Sequence, residues 1–258
     1  MKPYFYIVGA QKCGTTSLYK YLIQHPCVLS AKEKEVHFFS DKFDKGYSWY
    51  AKQFPSLFSK YSHFLSCPQG AITGEATPYY IFHPHAARRI HAWTPNARII
   101  MMLRNPVDRA FSHYRYHVKL GVEELSFSDA IDAEPTRLAG EFEKMQSDEN
   151  YQSENYKLYS YLKRGIYIEQ LTPWFELFPK EQILVIQSEE FFSDPKLSFN
   201  KTLEFLKLSQ YEISSFKKFN EGKQKSIDDE TRKLLVEYYK PYNQRLYDLL
   251  GLDFNWDV

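Results

Sequence analysis

The sequence predicts an α/β fold in which a parallel sheet of about five strands is flanked by helices on both faces. Three observations predict it: short apolar, β-prone runs recur along the chain, helical patterns separate most of them, and the first run leads through a glycine-bounded loop into a helix. The predicted strands are Tyr4–Val8, Val28–Ser30, Ala71–Gly74, Arg98–Leu103 and Gln182–Gln187. The predicted helices include Ser17–Gln24, Pro84–Trp93, Val107–Leu120, Tyr167–Phe178 and Lys196–Leu206.

The 258 residues are enough for one large hydrophobic core, and we predict a single domain over residues 1–258. The polar, acid-rich stretch at about 121–163 is predicted to be a helical excursion over the functional site rather than a separate domain. The tail from Asp228 to Trp256 is predicted to be an amphipathic helix followed by a short docking strand or turn. Ligands of parallel sheets bind at the carboxyl ends of the strands, so we expect the loops after Val8 and Leu103 to meet there.

The charge and cysteine content exclude several classes of protein. Lys and Arg total 33 against 32 acidic residues, so no overall field attracts nucleic acid, and any affinity for anions is local. The cysteines Cys13, Cys27 and Cys67 have no C-x-x-C spacing and no neighbouring histidine cluster, which predicts neither a metal site nor a disulfide framework. No apolar run approaches the roughly 18 residues that a membrane span needs.

The loop after the first predicted strand has the character of an anion site. Gly9 and Gly14 allow the backbone to approach a phosphate closely, and the helix that follows directs unpaired N–H groups and its positive dipole end toward the same place. The P-loop of nucleotide triphosphatases has the pattern G-x-x-x-x-G-K-[ST]. Here Thr15 takes the place of that lysine, and Lys12 lies inside the loop instead, where it is suited to a shorter ligand.

This loop resembles the phosphosulfate-binding loop of sulfotransferases that use 3′-phosphoadenosine 5′-phosphosulfate (PAPS). The resemblance extends over almost the whole chain, and it is to the heparan sulfate and carbohydrate type. The other matching segments are Ala31–Phe39, Arg98–Tyr114, Gly165–Tyr167, the stretch from Gln170 to Leu184, and Pro241–Trp256. The resemblance implies PAPS as the sulfate donor, adenosine 3′,5′-bisphosphate as the product, and no metal.

The resemblance assigns the 5′-phosphosulfate to the glycine loop. Lys12 would stabilise the bridging oxygen and the departing phosphate. The alternative is that Lys12 is simply exposed on the loop, which is the commoner situation for a lysine. The remaining loop and helix-start residues would donate backbone and hydroxyl hydrogen bonds; they are Cys13, Gly14, Thr15, Thr16 and Ser17.

The resemblance assigns the 3′-phosphate to the segment after the fourth strand. Arg104 and Ser112 would bind it, Ser112 lying in the helix that Pro106 and Asp108 begin. Arg109 is predicted to make no such contact and could equally form a surface ion pair. Further nucleotide contacts are implied for Arg164, Gly165, Tyr167 and Lys223, with a core role as the alternative for Tyr167 and a surface role for Lys223.

Two residues compete for the role of general base. The resemblance selects Glu35, which precedes a Val-His-Phe-Phe stretch, and a glutamate in this role needs burial to raise its pKa from about 4.3. His37 is the rival, because histidine titrates near neutrality. Alternation along an extended segment puts Glu33, Glu35 and His37 on one side, with Glu33 expected to be a solvated acid.

The chain departs from the family pattern in two places. A lysine that helps to organise the transferring group is common at the position of Ala76, which leaves Lys12 with less help or with another side chain in that role. Glu75 would then be structural. A Lys-Gly-Arg loop is common late in the family, where this chain has Glu221–Lys225.

The predicted function is transfer of a sulfuryl group from PAPS to an acceptor hydroxyl or amine, with a saccharide as the expected acceptor. The alternatives are a lipid, phenolic or polyketide acceptor, a P-loop nucleotide kinase or other phosphotransferase, and a non-catalytic nucleotide-binding module. No nucleic acid partner and no membrane span are expected. We expect a soluble, cytoplasmic protein, either a bacterial-type enzyme or a shortened form of an anchored one.

Overall fold

The computed structural model describes residues 1–56, 58, 67, 70–213, 215–216 and 227–257. The described chain forms two compact units, the first made of Met1–Leu103 and Phe175–Glu221 and the second of Arg104–Trp174 and Gly222–Val258. A single domain over the whole chain therefore stays a prediction. Lys223, with the rest of the segment 221–225, lies outside the described residues.

The first unit contains a parallel sheet whose strands were all predicted to within two residues. The strands are β1 (Phe5–Gly9), β2 (Val28–Ser30), β3 (Ile72–Ala76), β4 (Arg98–Leu103) and β5 (Ile183–Gln187). Their spatial order is β2-β3-β1-β4-β5, and every neighbouring pair is parallel. This confirms the predicted α/β class with a five-stranded parallel sheet.

The helices follow the predicted alternation with strands. In chain order they are α1 (Thr15–Leu22), α2 (Gly46–Ala51), α3 (Ala86–Trp93), α4 (Pro106–Lys119), α5 (Phe127–Leu138), α6 (Glu141–Ser147), α7 (Glu154–Tyr159), α8 (Tyr167–Leu177), α9 (Ser188–Ser193), α10 (Pro195–Phe205) and α11 (Asp229–Leu250). Short 3₁₀ turns occupy Phe43–Lys45, Lys163–Gly165 and Lys180–Gln182. The stretch at about 121–163 is helical, as predicted, and the chain turns at Gly251 after α11 without a further strand in residues 252–257.

The core of the first unit lies around the central strands. All five residues of β1 are buried, as expected for a strand with both faces covered. The hydroxyl of Tyr6 shares a hydrogen bond of 3.0 Å with that of Thr94. Beside the sheet, the ring of Phe38 stacks on Tyr50 at a centroid distance of 4.4 Å, and Phe39 packs edge-on against the same tyrosine at 4.9 Å. These rings are core material and fix the segment that contains the predicted base.

The prediction that the cysteines form no disulfide was wrong. Cys27 and Cys67 form a disulfide bond, with their Cα atoms 5.5 Å apart and 40 residues apart in sequence. The pairing depends on the β2–β3 contact, because Cys27 precedes β2 and its carbonyl accepts the N–H of Ile72 at 2.8 Å. The spacing of the cysteines along the sequence does not indicate that Cys27 and Cys67 lie close together. Disulfide bonds are typical of proteins in oxidising compartments. The bond therefore gives no support to the cytoplasmic location, which stays a prediction.

The second unit is held together by buried polar side chains. Glu134 of α5 accepts the N–H groups of Leu162 at 2.6 Å and Lys163 at 2.8 Å. Arg109 of α4 is fully buried and donates to the carbonyl of Tyr161. The surface ion pair predicted as an option for Arg109 is therefore wrong, because the helix turns this side chain toward the interior of the unit.

The described residues contain neither a membrane-spanning helix nor a cluster of metal-binding side chains. None of the described helices combines the length and apolar character needed to cross a membrane. In the same part of the chain, no group of three or more His, Cys, Asp or Glu side chains is arranged to hold a metal ion.

Candidate active site

The loop between β1 and α1 is shaped by its two glycines. A Cβ on Gly9 would lie 2.2 Å from Cγ2 of Ile81, so no other residue fits without displacing that side chain. Gly14 has φ +93°, in the left-handed region that favours glycine. Lys12 also has a positive φ, of 72°, which marks the tight curl of the loop around it.

The start of α1 leaves amide groups available for a ligand. The carbonyl of Gly14 accepts the N–H groups of Ser17 at 3.0 Å and Leu18 at 3.2 Å. The N–H groups of Thr15 and Thr16 meet no acceptor from the described residues. Two unused donors at the positive end of a helix are suited to binding an anion, and phosphosulfate binding at this loop stays a prediction.

One further contact fixes this loop from within the first unit. The buried Cys13 contributes its carbonyl, which accepts the hydroxyl of Ser188 at 2.8 Å. Ser17 is buried in the first turn of α1. Ser188 follows β5 directly and was missed from the sequence, because a serine at a strand end has no distinguishing local pattern. The predicted loop residues thus lie together, with Cys13 acting through its backbone.

The segment with the two candidate bases is attached to the carboxyl end of β3. Ala76, the last residue of β3, donates its N–H to the carbonyl of Lys34 at 3.1 Å. The N–H of Val36 donates to Oε2 of Glu75 at 3.3 Å. These two bonds hold the backbone on both sides of Glu35, which lies in a stretch without regular secondary structure.

Glu75 is a buried hydrogen-bond hub. Its carboxyl accepts the hydroxyls of Thr77 at 2.7 Å and Tyr80 at 3.2 Å, together with that of Tyr50. Burial is the largest influence on this carboxyl and raises its pKa. Because Glu75 is fully buried and its oxygens are occupied, the contacts favour the structural role predicted for it.

The electrostatic prediction for Glu35 was wrong in sign. Burial is the largest single influence and raises the pKa, but the hydrogen bond with His37 and the charge and hydrogen bond of Lys34 together outweigh it, so the pKa of Glu35 is lowered. The ammonium of Lys34 contacts Oε1, and Nε2 of His37 lies 3.4 Å from Oε2. The apolar residues expected around Glu35 are present, but the ammonium of Lys34 and the imidazole of His37 determine the direction of its pKa shift.

His37 lies between two carboxylates. Its Nε2 faces Glu35, and its Nδ1 is 3.5 Å from Oδ2 of Asp41 and 3.4 Å from the hydroxyl of Ser40. The alternation argument placed Glu35 and His37 on one side, and they are in contact; Glu33 is exposed, as expected. Asp41 was missed because it lies in a turn, where the strand period no longer applies.

The strand register brings the loop and the base segment to one edge of the sheet. β1 and β3 are adjacent and parallel, with Ile7 opposite Ala76. The loop containing Lys12 begins after Gly9, two residues beyond Ile7, and the segment containing Glu35 is hydrogen-bonded to Ala76. In the first unit, the loop predicted to bind an anion and a candidate base therefore lie at the carboxyl ends of neighbouring strands, where parallel sheets bind ligands.

The second unit contains the residues predicted for the 3′-phosphate. The hydroxyl of Tyr167 donates to the carbonyl of Arg104 at 2.9 Å, and Asn105 caps α4 by accepting the N–H groups of Val107 and Asp108. Ser112 lies half-buried in α4. Tyr167 itself is buried, so within this unit it supports the backbone of Arg104.

The remaining predicted nucleotide contacts are enclosed in the second unit. Arg164 is buried and donates from Nη2 to the carbonyl of Lys157 at 2.8 Å. A Cβ on Gly165 would lie 2.6 Å from the hydroxyl oxygen of Tyr239, so this glycine is required for packing. Contacts of these residues with a nucleotide stay predictions, as does that of Lys223.

The family model and the known proteins that this chain resembles are all sulfotransferases. A family model described as "Sulfotransferase domain" matches residues 2–242. The chain is 30% identical to heparan sulfate glucosamine 3-O-sulfotransferase 3B1 of Homo sapiens, covering 99% of this chain and 65% of that protein. It is 26% identical to the membrane-associated sulfotransferase kil1 of Dictyostelium discoideum, covering 98% of this chain and 66% of that protein. The chain thus spans about two thirds of the length of these curated relatives.

A solved structure has the same fold. The crystal structure of a sulfotransferase from Alicyclobacillus acidocaldarius matches with a TM-score of 0.74 and 32% identity, and 100% of each chain is covered. The family predicted from the glycine loop and the downstream segments is confirmed by these matches. Because the family model spans nearly the whole chain, this protein belongs to the sulfotransferase family.

Proposed function

We propose that this sulfotransferase uses PAPS as its donor and transfers the sulfuryl group to a saccharide hydroxyl or amine. The observation that carries the proposal is the arrangement in the first unit. The unused amides of Thr15 and Thr16 begin α1 in the loop of Lys12, and the residues on both sides of Glu35 are hydrogen-bonded to the end of the neighbouring strand β3. A phosphosulfate at this helix start would receive backbone hydrogen bonds and the positive end of the dipole.

The residues of the loop suit the chemistry of transfer. When bound, the donor supplies the sulfuryl group, whose S–O bond to the 5′-phosphate breaks as a bond from sulfur to the acceptor atom forms. Negative charge then develops on the former bridging oxygen, and the ammonium of Lys12 is assigned to stabilise it. The helix amides of Thr15 and Thr16 hold the phosphate in line with the acceptor.

Glu35 is assigned as the base that takes the acceptor proton. Its side chain is 41% exposed, so an acceptor can reach it, and its lowered pKa keeps it ionised at neutral pH. A carboxylate with a low pKa is a weak base, which limits it to accepting the proton late, as the sulfur–acceptor bond forms. His37, in contact with Glu35 and Asp41, is the other candidate for this role.

The 3′-phosphate is assigned to Arg104 and Ser112 by the family resemblance. Within the second unit, Tyr167 and Asn105 support this assignment, because they fix the carbonyl of Arg104 and the start of α4. A guanidinium and a hydroxyl match the charge and acceptors of a terminal phosphate.

The saccharide acceptor is suggested by the named activity of the human relative, a heparan sulfate glucosamine 3-O-sulfotransferase. Lipid, phenolic and polyketide hydroxyls are the competing acceptors. The test is transfer of radiolabelled sulfate from PAPS onto separate panels of glycans, phenols and lipid extracts. Labelled glycan supports the proposal, and label confined to phenols or lipids overturns its acceptor class.

The donor is tested by calorimetry with two nucleotides. We expect adenosine 3′,5′-bisphosphate to bind more tightly than ATP with Mg²⁺, because Thr15 stands where a P-loop has its lysine. Tighter binding of ATP with Mg²⁺, combined with no sulfate transfer, would favour a phosphotransferase instead.

A further inference from the structure

Lys34 occupies an unusual place for a lysine next to the candidate base. Its carbonyl accepts the N–H of Ala76 at the end of β3, and its ammonium contacts Oε1 of Glu35. The side chain is only 20% exposed, whereas most lysine side chains extend into water. A backbone hydrogen bond and an ion pair therefore hold one cation at the carboxyl end of β3.

At its carboxyl end, β3 offers no available charged side chain of its own to a ligand bound at this edge of the sheet. Ala76 is fully buried and carries only a methyl group, and Glu75 is occupied by its own hydrogen bonds. The neighbouring strand β1 leads directly into the loop of Lys12, with Ile7 opposite Ala76. A positive charge at this strand end would act on the same bound group as Lys12, and Lys34 is the lysine whose backbone is bonded there.

We propose that Lys34 is the second cation of the transfer site, acting with Lys12 on the oxygens of the sulfuryl group in place of a side chain that Ala76 cannot supply. This inference rests on the proposed function. Before transfer, the ammonium of Lys34 is paired with the carboxylate of Glu35. The acceptor proton moves to Glu35 as sulfur bonds to the acceptor, which neutralises that carboxylate. Lys34 keeps its own proton, and its charge, no longer paired with a carboxylate, becomes available to the sulfuryl oxygens while the group passes from the bridging oxygen to the acceptor.

A simpler role for Lys34 would be to lower the pKa of Glu35 without contacting the transferred group. The two roles predict different pH dependence. If Lys34 only lowers that pKa, its removal lets burial raise the pKa, and activity returns at higher pH where Glu35 is again ionised. If Lys34 stabilises the transferring group, the loss of rate persists at every pH at which Glu35 is ionised.

The experiment compares Lys34→Ala and Lys34→Arg with the matched control Lys32→Ala, which removes an exposed lysine from the same charged run. We expect Lys34→Ala to lower kcat by about a hundredfold across neutral and alkaline pH. We expect its affinity for adenosine 3′,5′-bisphosphate, which lacks the sulfuryl group, to be unchanged. Lys34→Arg should keep much of the rate because it retains the charge, and Lys32→Ala should behave as the unaltered protein.

A reciprocal variant tests the link to Ala76. In the Lys34→Ala, Ala76→Lys double variant, a cation returns to the strand end from β3 itself, and we expect partial recovery of kcat relative to Lys34→Ala. The inference is overturned if Lys34→Ala has the rate of Lys32→Ala, or if its rate recovers fully at alkaline pH. Neither result would touch the proposed function, which is tested by sulfate transfer from PAPS by the unaltered protein.

Discussion

The hydroxyl of Tyr167 donates a hydrogen bond of 2.9 Å to the carbonyl of Arg104, across 63 residues of sequence. The same hydroxyl lies 3.5 Å from the N–H of Arg104. Tyr167 begins α8 and is buried, and Arg104 directly follows β4. The tyrosine thus fixes the backbone of the residue proposed to bind the 3′-phosphate, and the guanidinium depends on that backbone for its position.

Tyr167→Phe is expected to weaken binding of adenosine 3′,5′-bisphosphate severalfold. The carbonyl of Arg104 loses this partly buried hydrogen bond, which also costs about 0.5–1.5 kcal/mol of unfolding free energy. Tyr239→Phe is the matched control, since it removes a hydroxyl that donates to the carbonyl of Leu162 at 2.9 Å in the same unit. Calorimetry and chemical unfolding of both variants make the comparison. Equal loss of nucleotide affinity in the two variants would contradict a specific role for Tyr167.

Arg104→Ala is expected to weaken a 3′-phosphorylated nucleotide far more than one without that group. Loss of a charge-assisted contact costs about 1.5–3 kcal/mol, or roughly tenfold to a hundredfold in Kd. The measurement is the Kd of adenosine 3′,5′-bisphosphate and of adenosine 5′-phosphate for each variant. Lys119→Ala, at the exposed end of α4, controls for the change in net charge. The assignment fails if both nucleotides lose affinity equally.

Most of the fold could be predicted because its elements are fixed by local patterns. The apolar run of β1, the glycines after it and the proline that begins α4 each predict an element within a few residues of sequence. Contacts that depend on strand pairing could not be predicted. The Lys34–Ala76 bond and the Cys27–Cys67 disulfide both join segments about 40 residues apart, and no local period encodes them.

The direction of the pKa shift at Glu35 also depends on tertiary contacts that the sequence does not reveal. The sequence placed apolar residues around Glu35, and burial does raise its pKa. It did not show that Lys34 folds back onto its neighbour or that His37 faces Oε2. Side-chain directions in an irregular segment follow from the tertiary contacts of the backbone, here those made by Glu75 and Ala76.

Lys12→Ala is expected to lower kcat by about 10²–10³, the usual cost of removing one stabilising donor from developing charge. Binding of adenosine 3′,5′-bisphosphate should change much less, because Thr15 and Thr16 retain their helix amides. Lys20→Ala, an exposed lysine of α1, is the matched control in steady-state sulfate transfer. A Lys12→Ala rate equal to that of the control would remove Lys12 from the mechanism.

The cysteine pairing is tested by counting thiols and by stability. Under denaturing, non-reducing conditions, alkylation followed by mass spectrometry should label Cys13 alone, and all three cysteines after reduction. Cys27→Ser is expected to lower the free energy of unfolding by about 2–4 kcal/mol. The Cys27→Ser, Cys67→Ser double variant should lose no more than the single one, since both lack the same bond. Three labelled cysteines without reductant would show that the bond is not formed.

The pH dependence of the rate separates Glu35 from His37 as the base. Because the pKa of Glu35 is lowered, its carboxylate is lost only as the pH falls below the ordinary glutamate value of about 4.3. The same shift adds stability that is present above that value and disappears as the pH falls through the lowered pKa. If Glu35 is the base, kcat/KM should therefore stay level down to about pH 5, and Glu35→Gln should lower kcat by about 10²–10⁴ while nucleotide binding is retained. An active Glu35→Gln variant together with an inactive His37→Ala variant would transfer the role to His37.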